Sequence, residues 1–128
     1  MKTGGRNPEA IKKLAKLLEE AGRKKEAAAV LDKLNVIYPM DPAAHRSQGN
    51  LALDLGDTKV ALREFGAVVA KSPLDPAQAH YDLARAYLAD HQTEKASEEC
   101  LNALEAAPGF RPAQKLLLEL NNSQTPKK

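Results

Sequence analysis

The chain has 128 residues, enough for one domain built round a single continuous core. Its composition, 43% hydrophobic and 28% charged, excludes a disordered chain, and a formal charge of +2 from 19 basic and 17 acidic residues leaves no electrostatic footprint for nucleic acid or an anionic membrane. The lone Cys100 excludes an internal disulfide framework, no apolar run is long enough to span a bilayer, and the polar start Met1 to Asn7 lacks the apolar core of a signal peptide, so the expected location is cytoplasmic, for a chain that can equally be a domain of a longer protein.

With aromatic residues at 4% and no Trp, the core has to come from Leu, Ala, Val and Ile, a mixture that favours helix. Residues 1–7 read as a flexible N-terminus. Pro8 then opens a helix at 8–21, with Ile11, Leu14, Leu17, Leu18 and Ala21 at helical spacing. A turn at Ala21-Gly22-Arg23 leads to a helix at 24–37 with Ala27, Val30, Leu31 and Leu34 on one face. Pro39 and Pro42 mark a corner before a helix at 42–55, and Leu55-Gly56-Asp57 turns into a helix at 58–71 carrying Ala61, Leu62, Phe65, Val68 and Val69. Pro73 and Pro76 mark the next corner before 76–89. There Ala89-Asp90-His91 makes the turn, with His91 where the other two turns use Gly. A helix at 93–106 with Ala96, Cys100, Leu101, Ala103 and Leu104 follows. Beyond Pro108 and Pro112, a last helix at 111–121 puts Ala113, Leu116, Leu117 and Leu120 on one face, and residues 122–128 read as a flexible tail. Seven helices joined by short connections make the fold class all-α.

The period is the second signal. Pro8, Pro39, Pro73 and Pro108 stand 31, 34 and 35 residues apart. The marker positions of a first unit from Pro8 are Ile11, Leu14, Ala15, Leu18, Ala27, Leu31, Leu34 and Pro39. Those of a second from Pro42 are His45, Gln48, Gly49, Ala52, Ala61, Phe65, Val68 and Pro73. A third from Ala77 has His80, Leu83, Ala84, Tyr87, Ala96, Cys100, Ala103 and Pro108. This spacing resembles the tetratricopeptide repeat, a 34-residue helix pair with the pattern W-x2-L-G-x2-Y … A-x3-F … P. The departures are the missing Trp, Gln48 in place of Leu, and Cys100 in place of an aromatic residue. The resemblance implies a right-handed α-solenoid of antiparallel helix pairs. It would form a single domain over 8–121, with repeats at about 8–41, 42–76 and 77–110 and a capping helix at 111–121.

The resemblance also implies a concave groove lined by the second, fifth, ninth, twelfth and thirteenth residues of each unit. These are Glu9, Lys12, Lys16, Glu19 and Glu20; then Ala43, Arg46, Asn50, Leu53 and Asp54; then Gln78, Tyr81, Arg85, Leu88 and Ala89, with Lys115 and Glu119 from the cap. Lys12, Lys16, Arg46, Asn50 and Arg85 form a row of hydrogen-bond donors, continued by Lys115, and Leu53, Leu88 and Tyr81 form an apolar strip beside it. The expected function is a protein–protein interaction scaffold whose groove takes a peptide or partner segment with acidic and apolar residues. The expected oligomeric state is a monomer. A receptor for chaperone C-terminal tails is excluded, because four of the five carboxylate-clamp positions hold Lys16, Ser47, Gln78 and Asp82. Two other readings stay open. One is an assembly element that docks onto a neighbouring domain or onto itself through Leu118 and the uncovered first helix. The other, disfavoured by charge and by sparse aromatics, is an RNA-binding helical repeat.

No catalytic, cofactor or metal site is expected. There is no Gly-rich phosphate loop, nucleophile elbow or carboxylate pair in an expected cleft. His45 and His80 share a position in neighbouring units, without the ligand set a metal needs, and read as packed histidines. Cys100 reads as an inert core thiol.

Overall fold

The computed structural model describes residues 7–39, 41–71 and 74–124, and among these there are seven helices and no strand. They are α1 (Pro8–Glu20), α2 (Lys24–Ile37), α3 (Pro42–Leu55), α4 (Thr58–Ala70), α5 (Pro76–Ala89), α6 (Thr93–Ala106) and α7 (Arg111–Gln124). Ends agree with the sequence expectation to within a residue except at α7. That helix runs on to Gln124, so the first residues of the expected tail are helical, and 125–128 lie outside the described residues. Of the expected flexible N-terminus only Asn7 is described, and it is a helix cap; the marker Pro73 also lies outside the described residues.

Local chemistry accounts for the boundaries. Asn7 Oδ1 accepts from the backbone N–H of Glu9 and Ala10, Asp41 from Ala43 and Ala44, Asp57 from Val60, and Asp75 from Gln78. Proline occupies the first turn of α1, α3 and α5, where its missing N–H costs nothing. The three turns inside the units all use the left-handed region, at Gly22 (φ 82°), Gly56 (φ 80°) and His91 (φ 62°).

Each helix packs on the next in sequence order, so the core is a line of clusters along the array and not one centre. Ala15, Ala27, Leu31, Leu34, Ala44 and Leu51 form the first. Ala52, Ala61, Phe65, Leu83 and Ala86 form the second. Ala84, Ala96, Cys100, Ala103, Ala113, Leu116 and Leu120 form the third. The second unit closes most tightly at Gly49, where a Cβ would stand 2.6 Å from Cε1 of the buried Phe65 ring.

Part of the expected core lies outside it. Leu14 and Leu17 are 48% and 54% exposed, and Ala21 is exposed as well, because the face they share with Ala10 is the one that later units turn toward the preceding unit. Leu101 points outward from α6. Leu118, 62% exposed, stands at the eighth position of its unit, where Ala15, Gly49 and Ala84 let a second helix approach.

Candidate functional site

The fifth residue of each unit reaches forward, either to the corner that ends its own unit or into the next one. Lys12 Nζ of α1 lies 2.6 Å from Oδ2 of Asp41, the N-cap of α3. The hydrogen bond to Asp41 is the main reason the Lys12 ammonium is held above its ordinary pKa. Burial pushes Asp41 the other way, yet Lys12 and the N–H groups of Ala44 and Ala43 outweigh it and hold the carboxyl below its ordinary value. In the second unit Arg46 Nε donates to Asp82 Oδ2 at 2.7 Å. In the third, the Tyr81 ring meets Phe110 edge-on, with centroids 5.8 Å apart and planes at 72°.

Asp82 is the hub of this surface. It is 1% exposed, and besides Arg46 it accepts from Gln78 Nε2 and Arg85 Nη1, each at 3.0 Å. The same Arg85 nitrogen donates to Asn50 Oδ1 at 3.0 Å, and the guanidinium carbon stands 6.0 Å from the centre of the Phe65 ring. Two arginines round one buried carboxylate leave a net charge of +1. Both guanidiniums reach solvent, Arg46 with 47% of its side chain exposed.

The structure therefore brings Arg46, Asn50 and Arg85 together and sets Lys12 apart, in its own pair with Asp41. Lys16 and Lys115 are exposed and have no ionic partner among the described residues. Leu53 packs against the Ala52–Phe65 cluster, and Leu88 stays exposed. Asp54, on the expected groove, pairs with Lys24 of α2 at 3.3 Å. Two of the clefts along the array border these side chains. One of about 430 Å³ lies between α3 and α5 and is lined by Pro42, Arg46, Asn50, Val68, Leu74 and Gln78. One of about 800 Å³ lies at the last helix and is lined by Tyr81, Arg111, Lys115, Leu116, Leu118 and Glu119. The corner into α5 has five residues between helices, 71–75, where the other two have four, 38–41 and 107–110, and Leu74 in it is fully exposed beside the first cleft.

Sequence reasoning missed the hub and the partners of the histidines. His45 Nδ1 lies 2.6 Å from Glu64 Oε1, and His80 Nδ1 lies 2.7 Å from Glu99 Oε1. Each pair is 19 residues apart, and the first unit has Ile11 and Val30 at the same positions; comparing units position by position would have found it. Cys100 is buried, and burial first, then the charge of Glu99, pushes its thiol up to about 11. Among the described residues no three His, Cys, Asp or Glu side chains are placed to hold a metal ion, and no helix is long and apolar enough to cross a membrane.

The tetratricopeptide repeat family model matches residues 46–109, half of the chain, and the chain belongs to that family. No curated protein sequence matches it. Among solved structures it is similar to the first repeat domain of Spaghetti (RPAP3) bound to the HSP90 peptide SRMEEVD, at 19% identity and TM-score 0.81, covering 91% of both chains. It is similar to the Yersinia enterocolitica type III secretion chaperone SycD in complex with a peptide of the translocator YopD, at 14% identity and TM-score 0.80, covering 91% of this chain and 94% of that one. A third is YrrB, described as a repeat protein with an unusual peptide-binding site, at 25% identity and TM-score 0.78, covering 88% of this chain and 57% of that one.

Proposed function

We propose that this tetratricopeptide repeat chain is an interaction scaffold that binds a peptide or partner segment along α3, α5 and α7, with no catalysis of its own. The observation that carries this reading is the Asp82 hub. A carboxylate buried at the floor fixes Arg46, Arg85 and Gln78 in one arrangement, so donors are presented to a ligand without the entropy loss of ordering them on binding. The net positive charge there, beside the Val68 and Leu74 cleft and the exposed Leu88, favours a segment that carries both acidic and apolar residues. Peptide ligands of SycD and the RPAP3 domain, and the peptide site of YrrB, support the class of ligand. A chaperone C-terminal tail is not the ligand proposed, since Lys16, Ser47, Gln78 and Asp82 stand where a carboxylate clamp needs other groups.

Selection from a displayed peptide library tests the reading. The expected result is a consensus mixing carboxylates with apolar residues, and binding that weakens about tenfold in Arg46→Gln, the loss of one charge-assisted contact. Asp82 keeps Arg85 and Gln78 in that variant, so the fold should survive, which circular dichroism checks. Selected peptides that bind Arg46→Gln as well as the parent chain would remove the groove from consideration.

A further inference from the structure

The outer face of α1, exposed in this structure, keeps the residues of an interface. In the later helices of the same register the third position is a buried Ala44, Ala79 or Ala113, and the tenth is a buried Leu51, Ala86 or Leu120. In α1 those positions hold Ala10 and Leu17, and with Leu14 and the C-cap Ala21 they make an exposed apolar stripe. A face destined for solvent would be polar here.

The spacing of the stripe says what fits it. Ala10, Leu14, Leu17 and Ala21 are separated by 4, 3 and 4 residues, the step of a two-helix seam. Laid antiparallel on a second α1, the stripe is its own complement. Leu14 falls opposite the partner's Leu17, and Ala10 opposite the partner's Ala21, so large meets large and small meets small. On one flank Lys13 falls opposite the partner's Glu20, and the symmetry repeats that pair at the other end. On the other flank the half-buried Ile11 falls opposite the partner's Leu18. Lys13 and Glu20 are exposed and have no ionic partner among the described residues.

We propose that α1 is a homodimerisation surface, occupied by the α1 of a second copy in an antiparallel, two-fold symmetric pair. The surface is one helix of about 20 Å, so the association is reversible and depends on concentration.

Sedimentation equilibrium on the full chain from micromolar to millimolar protein, with charge-swapped variants, decides it. Lys13→Glu sets acid against acid at both ends of the seam, and Glu20→Lys sets base against base. Each should raise the dimer dissociation constant about tenfold, two attractive contacts having become repulsive. Mixed in equal amounts the two variants should form a heterodimer as tight as the parent dimer, because every contact is then between opposite charges. Both sites are exposed, and unchanged thermal unfolding of the dilute variants confirms that folding is not the cause. A parent chain that stays monomeric throughout, variants that dimerise like the parent, or a mixture no tighter than its components would each overturn the proposal.

Discussion

The junction between the first and second units and the junction between the second and third are built on the same repeat positions from different chemistry. At the first, Asn35 of α2, His45 and Gln48 of α3 and Glu64 of α4 are all buried. At the second, the corresponding residues are Val69, His80, Leu83 and Glu99. Asn35 Nδ2 donates to Gln48 Oε1 at 2.5 Å and to Glu64 Oε1 at 3.4 Å. Glu64 also binds His45 and accepts from Arg63 Nε at 2.8 Å, while the other ring nitrogen of His45 lies 2.6 Å from the Pro39 carbonyl oxygen. In place of the Asn–Gln bond, the second junction has Val69 and Leu83 packed in one apolar cluster, and its His80–Glu99 pair is less buried. The cap repeats the apolar solution with Leu104 and Leu117. The repeat geometry thus accepts either filling, but the consequences differ. Apolar side chains can slide past one another at modest cost, whereas a buried polar set keeps its bonds in one register only.

The largest test of that contrast is to remove the carboxylates one at a time. Glu64→Ala removes a carboxylate only 6% exposed, leaving the buried His45 without its Nδ1 partner while Arg63 keeps only its longer contact with Asp32 at 3.8 Å, and should cost about 3 kcal/mol. Glu99→Ala, at the more open pair, should cost about 1 kcal/mol. Urea unfolding followed by circular dichroism measures both, and equal costs would erase the distinction between the junctions.

A smaller change works in the opposite direction. Asn35→Leu with Gln48→Leu gives the first junction the apolar filling of the cap, Leu104 and Leu117, and removes Asn35 Oδ1, a buried acceptor with no partner among the described residues. The expected gain is about 1 kcal/mol, since well-packed apolar groups often replace buried polar ones without loss. A loss of stability in the same unfolding assay would mean that the polar set contributes more than packing can.

Sequence was a good guide to the array and a poor one to these junctions, for a physical reason. Helix starts are local: Asn7, Asp41, Asp57 and Asp75 cap from within three residues, and Gly22, Gly56 and His91 turn the chain on their own dihedral preference. Partnerships across the array are not local. Arg46 and Asp82 are 36 residues apart, and Arg85 and Asn50 are 35 apart, so a row of donors read from one helix at a time looks free when the next unit has already engaged it. Leu14 and Leu17 show the converse: their helical spacing is that of a core face, and only the neighbours decide whether a core is there.

The smallest effect separates the two corners by charge. Lys12 clasps Asp41 at the first corner, while among the described residues the side chain of Asp75, the N-cap of α5 at the second, makes only its capping bond to Gln78. Asp41 has its folded pKa below the ordinary 3.8, so its contribution is complete above that value and is lost as the pH falls through the lower folded one. Lys12 has its folded pKa above the ordinary 10.5, so its contribution is complete below that value and is lost as the pH rises through the higher folded one. The clasp therefore acts in the window between these limits. Asp41→Asn keeps a good N-cap and removes the charge, so it should cost only about 0.5–1 kcal/mol near neutral pH, and less in high salt. The stability difference between Asp41→Asn and the parent should vanish in strong acid, where the parent's carboxyl is protonated. Asp75→Asn, which breaks no ion pair among the described residues, should show no comparable dependence on salt. Finding the same salt-dependent difference in both variants would show that capping, common to the two corners, and not the Lys12 clasp, is what the carboxylates supply.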